Sequence, residues 1–438
     1  MRPYRHNHFR LSSPLHDNEA RRSLWLSTAP AMPATGPLEG QISADVVVIG
    51  GGFTGVSTAL HLAQQGVDTV LLEAEEIGYG GSGRNVGLVN AGLWLMPHTV
   101  LQRLGQQYGK RLIALLSNAP QLVFDLIATH RIECEAVREG TLHCAPNRRG
   151  EAELRQRVAQ WHELFAPVRL LDREETHART GSPLYRCALF DPRAGTIQPL
   201  AYVRGLASAA LKAGTRLFVH SRVTGWRKLD ASWQIETARG CVRTGWIVVA
   251  TGAYTIGLQP ELRAQQIHLP YFNFATDPLP PEQRAAVLPG GQGIWDTRTV
   301  LRSFRLDRDG RLVVGSVGSL SGHHRQVHQA WAQRLVRRAF PMLGRVELPY
   351  AWDGMIDMTA DQVPHLHKLA PQVIAINGYN GRGIGPGTVF GRELARYVAG
   401  AIGEEELPLP FSEPQSVASR AAQEMFYRLG SLAAHWAG

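Results

Sequence analysis

The sequence predicts an α/β fold in which a domain built on a parallel sheet is interleaved with an α+β domain containing a large, mostly antiparallel sheet. Three observations carry this prediction. Residues 44–73 read as strand, turn, helix and strand, residues 247–251 form a second buried strand far along the chain, and residues 261–349 alternate short strands with turns. With 438 residues, of which 44% are hydrophobic, the chain can bury two or three lobes.

The first unit, ADVVVIGGGFTGVSTALHLAQQGVDTVLLE (44–73), is Rossmann-like. Its turn carries Gly50, Gly52 and Gly55 in a Gly-x-Gly-x-x-Gly pattern. The first glycine permits the tight turn, the second lets the backbone approach a pyrophosphate, and the third lets helix and strand pack closely. Glu73 closes the second strand, where a carboxylate accepts hydrogen bonds from ribose hydroxyls. The unit predicts a dinucleotide site but does not by itself separate NAD from FAD.

A glycine-rich loop, AEEIGYGGSGRNVGLVNAG (74–92), follows this unit. The small residues Gly81, Ser82 and Gly83 would allow close approach to a phosphate or a flavin, and Arg84 and Asn85 would supply charge and hydrogen-bond donors. Because the loop comes directly after the ribose-binding strand, we expect it to face the cofactor rather than to be a flexible surface loop.

Two later segments favour FAD over NAD. The strand IVVATGA (247–253) ends in a turn of small residues, as strands that pass beside the cofactor do in FAD proteins, and NAD dehydrogenases have no need for it. A glycine-rich loop at 377–387 precedes a helix predicted to start near Thr388. The N-terminus of such a helix can stabilise the negative charge that appears on the N1–C2=O edge of a reduced flavin.

The cofactor and substrate lobes are predicted to be interleaved along the chain. Residues 99–166 are mainly helical, and CEAVREGTLHC (134–144) reads as a hairpin within them. The predicted organisation is an N-terminal surface arm at 1–40, a cofactor-binding domain from 41–95, 195–260 and 350–410, a substrate-binding domain from 96–194 and 261–349, and a C-terminal helix or tail at 411–438.

Composition excludes several classes of protein. The four cysteines, Cys134, Cys144, Cys187 and Cys241, lack CxxC spacing, which argues against a zinc site or a disulfide scaffold and fits a cytoplasmic enzyme. The histidines near 323 and 365 have no acid or thiol cluster at ligand spacing, so no metal is expected. The net charge of +9 is spread along the chain without a nucleic-acid motif, and we interpret it as solvated surface that can attract an anionic substrate.

The termini are not predicted to cross a membrane. No window approaches ~18 uninterrupted apolar residues, so no transmembrane helix is expected. The basic N-terminus lacks the apolar core of a secretory signal. The tail SRAAQEMFYRLGSLAAHWAG (419–438) is predicted to be an amphipathic helix that docks on the core, with peripheral contact to the inner membrane as the alternative.

Taken in order, these motifs resemble the FAD-dependent amine and amino-acid oxidases, the family that includes D-amino-acid oxidase, glycine oxidase and sarcosine oxidase. The resemblance covers about residues 20–415 and is carried by GGGFTG…LLE, GGSGRNVGLVNAG, AGTIQPLAYVRGLA, VVATGAY, WDGMIDMTAD and GYNGRGIGPGTV. Within the family the sequence looks most like the bacterial branch of L-pipecolate oxidase and γ-glutamylputrescine oxidase.

The resemblance implies an FAD cofactor and its contacts. Sarcosine oxidases attach the flavin to a cysteine in the segment matching residues 315–318, and none stands there in this sequence, so the FAD is expected to be non-covalent. The implied contacts are Gly50, Gly52, Phe53, Thr54, Gly55, Glu73, Ala74, Gly81, Ser82, Gly83, Arg84, Asn85, Gly87, Leu88, Val223, Ala250, Thr251, Gly252, Tyr254, Asn380, Gly381, Arg382, Gly383, Ile384 and Gly385.

The substrate side departs from the family pattern. Glycine oxidase and D-amino-acid oxidase clamp the substrate carboxylate with two arginines, and here Ile356 stands at the first position while the second is displaced to Arg382. Arg382, or Arg298 or Arg302 from TRTVLRSFR, could replace them, because a guanidinium can bind a carboxylate through two hydrogen bonds. The remaining pocket candidates are Trp94, Tyr271 and Trp295, which core packing would explain equally well.

The resemblance implies hydride transfer from the carbon bearing the nitrogen to flavin N5, giving an imine and reduced acceptor, either H2O2 from O2 or a reduced quinone. The expected substrate is a small amine or amino acid, in particular L-pipecolate or a similar secondary-amine amino acid. Two alternatives are a γ-glutamylputrescine or polyamine oxidase, and a flavoprotein dehydrogenase that passes electrons to a quinone or a partner protein.

Overall fold

Two large sheets organise the chain, and the computed structural model describes residues 23–255 and 257–437. The helices are α1 (Leu24–Thr28), α2 (Phe53–Gln64), α3 (Pro97–Ser117), α4 (Ala119–His130), α5 (Arg148–Glu163), α6 (Arg173–Thr180), α7 (Pro199–Lys212), α8 (Pro260–Gln265), α9 (Pro281–Ala286), α10 (His324–Ala339), α11 (Ile384–Val398) and α12 (Arg420–Ala437). Short 3-10 turns lie at Gly81–Gly83, Gly252–Tyr254, Pro341–Leu343 and Glu404–Glu406.

The strands divide between the two large sheets and one small two-stranded sheet. They are β1 (Gly40–Ile49), β2 (Thr69–Leu72), β3 (Leu88–Val89), β4 (Thr141–Ala145), β5 (Arg169–Leu171), β6 (Cys187–Asp191), β7 (Gly195–Thr196), β8 (Arg216–Phe218), β9 (Val223–Leu229), β10 (Ser232–Thr237), β11 (Gly240–Val249), β12 (Ile267–Pro278), β13 (Gly293–Asp296), β14 (Arg302–Leu306), β15 (Arg311–Val317), β16 (Tyr350–Met358), β17 (His365–Ala370), β18 (Val373–Asn377) and β19 (Phe411–Ser412).

The first sheet has the strand order β19-β17-β18-β11-β1-β2-β8, and the β9–β10 hairpin attaches to β11. Its centre is parallel, because β1 pairs in parallel with both β2 and β11, and β11 pairs in parallel with β18. Residues 46–49 of β1 are all buried, as expected of a parallel strand covered on both faces. This sheet is the predicted Rossmann-like core.

The second sheet has the order β16-β12-β15-β14-β13-β4-β6-β5. Among these pairs only β13 and β4 run parallel, so the sheet is mostly antiparallel. Its apolar face packs with α10 in a separate core that includes Phe272, Phe304 and Trp331. The predicted α/β fold, with a parallel cofactor-type sheet beside a large antiparallel sheet, is confirmed.

Two details of the sequence prediction are wrong in the structure. Strand β16 was assigned with 350–410 to the cofactor-binding domain, but it pairs along its full length with β12 and forms an edge of the second sheet. The hairpin predicted at 134–144 does not form, because β4 pairs with β6 and β13, while Val137 forms an isolated bridge with Thr196. In both cases the partner strand is distant in sequence, and a local pattern carries no signal for it.

Pro97–His130 is a helical stretch whose length and composition would allow it to cross a membrane. It comprises α3 and α4, and α3 has a break in its helical geometry at Gly105. The side chains of Leu112, Leu116 and Val123 are buried in the main core of the protein. Core helices pass the same test of length and hydropathy, and we assign this stretch to the core.

The N-terminal arm was predicted to lie on the surface: residues 1–22 are outside the described part of the chain, and the start of α1 is buried. Leu24 and Trp25 of α1 are fully buried. The Trp25 indole N–H donates to the carbonyl oxygen of Asn85 at 2.8 Å, and its ring packs edge-on against Trp352 and under the guanidinium of Arg305. Helix α1 therefore supports the loop that was predicted to face the cofactor.

Replacing Trp25 by alanine is expected to lower the free energy of unfolding by about 3–5 kcal/mol, the usual cost of removing a buried tryptophan side chain. Urea denaturation followed by far-UV circular dichroism measures it. Trp436→Ala is the matched control, because that indole is exposed to solvent, and its free energy of unfolding should change by less than about 0.5 kcal/mol. Equal losses in the two variants would contradict the role assigned to α1.

Candidate active site

A cavity of about 510 Å³ lies where residues of both large sheets meet. Its lining includes the turn between β1 and α2, the loop at 79–90, the end of β11, strand β16 and the turn before α11, together with residues at the end of β2 and in β12 to β14. The five segments named first contain motifs that were predicted from the sequence. A deep, mostly apolar cleft with a few convergent polar groups is the usual form of a cofactor and substrate site.

The turn between β1 and α2 depends on its glycines. Gly50 has φ +111°, and a Cβ atom there would stand 2.7 Å from the carbonyl oxygen of Ala250. A Cβ atom on Gly55 would stand 1.9 Å from the carbonyl oxygen of Gly50. The turn therefore brings the N-terminus of α2 directly against the cavity, where its peptide N–H groups favour an anion.

Glu73 stands at the predicted position, at the end of β2. One carboxylate oxygen accepts a hydrogen bond from the N–H of Gly51 at 2.6 Å, and the other accepts from the N–H of Glu75 at 2.8 Å. Burial raises the pKa of the Glu73 carboxyl. The acid lines the cavity beside the glycine turn, and a fixed acceptor in that place suits the ribose hydroxyls of a dinucleotide.

The loop at 79–90 is held together by the polar side chains predicted to face the cofactor. Ser82 Oγ accepts from the N–H of Phe53 at the start of α2. Asn85 Nδ2 donates to the carbonyl oxygens of Gly81 and Ser82. Arg84 donates through Nε to Tyr79 O and through Nη1 to Asp353 O, both backbone acceptors. These donors are thus used to shape the loop, although Arg84 and Asn85 still line the cavity.

The end of β11 closes the opposite wall. The hydroxyl of Tyr254 accepts a hydrogen bond from the N–H of Met355 in β16, and its ring lies against Gly80, where a Cβ atom would clash at 2.7 Å. This contact joins the first sheet, the 79–90 loop and the second sheet around the cavity. Val223, Ala250, Thr251 and Gly252 line the same wall.

Helix α11 begins at Ile384 rather than near Thr388, so the sequence prediction placed its start four residues too late. Gly385 and Gly387 lie in its first turn because both face other elements closely: Cβ atoms there would meet Ala119 and Phe53 at 3.1 Å. The N-cap is Gly383, and Asn380 and Gly381 before it have positive φ. The helix N-terminus therefore opens on the cavity, as the prediction required.

Arg382 lies at the far end of the cavity, between two tryptophans. Its guanidinium carbon is 4.9 Å from the ring centre of Trp94 and 5.4 Å from that of Trp295, and Nη1 donates to Ala91 O at 2.6 Å. Within the described part of the chain, Arg382 Nε and Trp295 Nε1 have no hydrogen-bond partner. Desolvation lowers the pKa of Arg382 to about 9, so the group stays cationic at neutral pH.

Tyr271 of β12 lines the cavity next to this end. Its hydroxyl forms a 2.7 Å hydrogen bond with the hydroxyl of Ser303, and burial raises its pKa. Both oxygens lie beside Gly315, where a Cβ atom would come within 2.6 Å of them. The three predicted aromatics Trp94, Tyr271 and Trp295 therefore all line the cavity.

Arg302 does not reach the cavity. Its Nε forms an ion pair with Asp296 Oδ2 at 2.5 Å inside the second sheet, and its backbone N–H also donates to that carboxylate. Arg298 lines the cavity together with Thr299 instead. The two arginines are four residues apart in the sequence, and only the fold determines which of them faces the cleft.

Three of the predicted cofactor contacts also lie outside the cavity lining. Gly55, Gly83 and Gly87 are instead at positions where other parts of the protein pack closely against the backbone.

Asp357 is a site residue that was not predicted from the sequence. Its carboxylate lines the cavity, accepts a hydrogen bond from the N–H of Gly378 at 2.8 Å, and is almost completely buried. Burial raises the pKa of Asp357 from its ordinary value of 3.8 to about 6. An acid between apolar residues of a buried strand, as in GMIDMT, was the available signal. Asn90, Arg222 and Gln362 line the cavity as well.

Asp357 is expected to make the free energy of unfolding decrease as the pH rises. Because its folded pKa is raised, the stability associated with the protonated acid is present at low pH and is lost as the pH rises through about 6. The free energy of unfolding of the wild type, relative to Asp357→Asn, should fall by up to about 3 kcal/mol between about pH 4 and about pH 7. Urea denaturation across that range tests this, and parallel pH profiles of the two proteins would contradict it.

The donor set fits an FAD. A glycine turn at a helix N-terminus suits the pyrophosphate, the fixed Glu73 acceptor suits the ribose, and a second helix N-terminus at Gly383 suits an electron-rich ring edge. Across the described residues, no group of three or more His, Cys, Asp or Glu side chains is arranged to hold a metal ion. The fold and the site therefore define a flavin-dependent oxidoreductase.

The chain belongs to the DAO family of FAD-dependent oxidoreductases, whose family model matches residues 45–397. It is 30% identical over 387 residues to a probable oxidoreductase OrdL of Rhizobium meliloti, covering 88% of this chain and 90% of the relative. It is also 30% identical over 370 residues to the γ-glutamylputrescine oxidoreductase of Escherichia coli, covering 83% of this chain and 85% of the relative. The predicted family and the FAD cofactor are confirmed.

Solved structures agree with this fold. Glycine oxidase from Geobacillus kaustophilus superposes with a TM-score of 0.67 at 18% identity, covering 82% of this chain and 95% of that structure. An L-amino acid deaminase from Proteus vulgaris superposes with a TM-score of 0.69 at 17% identity, covering 85% and 93% of the two chains. At these identities the comparison establishes the fold alone.

Proposed function

We propose that the protein oxidises the C–N bond of a carboxylate-bearing amine, in particular a secondary-amine amino acid such as L-pipecolate, to the corresponding imine. The observation that carries this proposal is the guanidinium of Arg382, which lies between Trp94 and Trp295 and lines the cavity, as Arg298 also does. Asp357 lines the same cavity, where its carboxylate accepts a hydrogen bond from the N–H of Gly378. A site with this excess of positive charge suits an anionic group on the substrate.

Arg382 would act in two ways on such a substrate. Its Nε has no acceptor in the described part of the chain and can therefore donate to a carboxylate oxygen, which would orient the substrate. Its positive charge also disfavours a second cation nearby, so the amine of a bound substrate would have a lowered pKa and lose its proton more readily. Hydride transfer requires the neutral amine, because the nitrogen lone pair must assist the departure of the hydride. Bound FAD supplies the acceptor for that hydride.

The walls of the site favour a compact substrate. Trp94 and Trp295 flank Arg382 and meet edge-to-face at 6.4 Å between ring centres, and Tyr271 lines the same cavity. Apolar rings exclude water and accommodate the methylene groups of a cyclic amino acid. In this proposal the second sheet provides the substrate side, and the first sheet with the 79–90 loop holds the FAD non-covalently.

The alternative substrate is a γ-glutamylated or free polyamine. The E. coli relative supports it, since that protein is named a γ-glutamylputrescine oxidoreductase. Asp357 also lines the cavity, and its carboxylate could pair with an amine cation. A free polyamine carries no carboxylate, however, and would leave Arg298 and Arg382 facing a cationic ligand.

Anaerobic mixing of the purified yellow protein with a panel of amines tests the proposal. We expect L-pipecolate or another secondary-amine amino acid to bleach the flavin absorbance, with the opposite enantiomer reacting more slowly. Bleaching by putrescine or γ-glutamylputrescine alone would refute the amino-acid assignment and support the alternative. Adding O2 and measuring H2O2, or adding a quinone instead, then distinguishes an oxidase from a dehydrogenase that passes electrons to a quinone or a partner.

A further inference from the structure

Helix α12 exposes an apolar stripe to solvent. Met425, Phe426, Leu429 and Trp436 are 54%, 72%, 54% and 79% exposed, respectively. Their spacing of three, four and seven residues places them on one face of a helix. Large apolar side chains scattered over a surface need no explanation, but a contiguous stripe of this kind commonly marks an interaction site.

The opposite face of α12 is polar and docked on the protein. Glu424 forms an ion pair with Arg263 at 2.9 Å and accepts a hydrogen bond from the backbone N–H of His268. Near the other end, buried His435 lies 2.8 Å from His328, between their Nδ1 atoms, and 3.1 Å from the hydroxyl of Ser316. These contacts hold both ends of the helix. The helix therefore docks on the core, as predicted, but by its polar face, and its apolar face points outward.

Arginines lie on α12 and on α10, the helix against which it packs. Arg428 is exposed within it, and the one acid of α12, Glu424, is on the docked face. Arg334 of α10 donates to the carbonyl oxygen of His435, and Arg337 in the same helix is exposed. The outward face combines apolar side chains with cations and presents no carboxylate of its own.

We propose that α12 docks the protein on an anionic lipid bilayer, with the stripe of Met425, Phe426, Leu429 and Trp436 inserted at the boundary between headgroups and acyl chains. Interfacial helices have this composition, with aromatic and aliphatic residues entering the bilayer while arginines contact lipid phosphates. The contacts of Glu424 with Arg263 and of His435 with His328 hold the helix along the protein surface. The whole stripe can therefore enter the bilayer at once.

Charge favours lipid over the other occupants of the face. A second copy of the chain would have to bring the same face against itself, which would oppose Arg428 and the α10 arginines to their own copies. The first 22 residues of the chain contain five arginines, Arg2, Arg5, Arg10, Arg21 and Arg22, against two acids, Asp17 and Glu19. That segment therefore also has the same sign of charge as the face. An anionic bilayer complements both the apolar and the basic parts.

Vesicle co-sedimentation of the full-length FAD-loaded protein tests the proposal. We expect binding to vesicles containing phosphatidylglycerol, and at least about tenfold weaker binding to phosphatidylcholine alone or at high salt. The double variant Phe426→Ser, Trp436→Ser should lose at least about tenfold in affinity while keeping its flavin content and turnover. Phe165→Ser is the matched control: that ring is 95% exposed but lies outside α12, and its loss should leave binding unchanged.

A second measurement does not depend on the double variant. Lipids brominated in the acyl chain should quench part of the tryptophan fluorescence of the wild type, and Trp436→Phe should lose that part. The proposal is overturned if the wild type does not bind anionic vesicles, or if the double variant and Phe165→Ser bind equally well. It is also overturned if Phe426→Ser converts a dimer to a monomer while vesicles bind neither protein, because a second copy then covers the stripe.

Discussion

Arg382→Met is expected to lower kcat/KM for an amino-acid substrate by about 100- to 1,000-fold, mainly through a higher KM. Removing one partner of a desolvated charge pair costs roughly 2–5 kcal/mol, and each 1.4 kcal/mol is about tenfold. The guanidinium of Arg382 lines the cavity between Trp94 and Trp295, and its Nε has no hydrogen-bond partner among the described residues, so a substrate carboxylate would become its partner. Steady-state kinetics with the best substrate from the bleaching panel measures the effect.

Two controls separate substrate binding from other effects of Arg382. Flavin content must be measured, because residues 380–385 also border the predicted cofactor site. Arg222→Met removes another cation that lines the cavity, near the end of β2, where it pairs with Glu75, and it should leave KM within about twofold of the wild type. A loss in Arg382→Met that appears only as lost flavin, with KM unchanged in the remaining holoenzyme, would contradict the carboxylate role.

Gly55→Ala is expected to weaken FAD binding by about tenfold to a hundredfold. The added Cβ atom would stand 1.9 Å from the carbonyl oxygen of Gly50, and backbone cannot yield as a flexible side chain does. Helix α2 must therefore move away from β1. This movement displaces the peptide N–H groups at its N-terminus relative to the turn at Gly50. Overpacking of this kind typically costs about 1–3 kcal/mol, and here the cost falls on the geometry of the anion site.

Titration of the flavin-free protein with FAD measures that change. Gly225→Ala is the matched control, because a Cβ atom there would have no atom of the other described residues within 4 Å, its two chain neighbours aside, and the residue is in strand β9. It should bind FAD as the wild type does. If Gly55→Ala retained full FAD affinity, the close contact of α2 with the β1 turn would not be needed for the cofactor, and the assigned role of Gly55 would be wrong.

The two variants affect different halves of one cavity. Gly55 acts on the half built by the parallel sheet, where backbone geometry and helix N-termini receive the dinucleotide. Arg382 acts on the half where the second sheet contributes Tyr271, Trp295 and Arg298. The two variants should therefore give different results. We expect Gly55→Ala to lose flavin while keeping its substrate preference, and Arg382→Met to lose substrate affinity while keeping its flavin content. Finding them together in one variant would show that the halves are coupled through the turn at 379–386.

The lipid-docking proposal concerns the outer surface and is independent of both predictions. A protein that binds no anionic vesicles can still oxidise an amino acid, and a protein that oxidises a polyamine can still bind vesicles through α12. If the protein both binds vesicles and reduces a quinone, a quinone dissolved in the bilayer would be close to the bound protein. That result would favour a dehydrogenase over an oxidase.

The sequence by itself determined the cofactor half of this protein. Strand, turn and helix at 44–73 are adjacent in the chain, and the reasons for Gly50, Gly55 and Glu73 are local: a positive φ, a close contact and an acid at the end of a strand. Physical requirements that act over a few residues leave a readable pattern. For the same reason the glycine-rich turn before α11 was recognised, although its four-residue error shows that helix boundaries are less readable than helices.

Only the tertiary structure decided the substrate half and the surface. Arg298 and Arg302 are four residues apart and chemically identical, and the pairing of β13 with β14 sends one into the cavity and the other into an ion pair with Asp296. The partner of β16, the burial of Trp25 and the outward stripe of α12 likewise depend on contacts between distant segments. The apolar pattern of α12 predicted a helix with one apolar and one polar face. Which face contacts the rest of the protein depends on polar partners from other segments, Arg263 and His328.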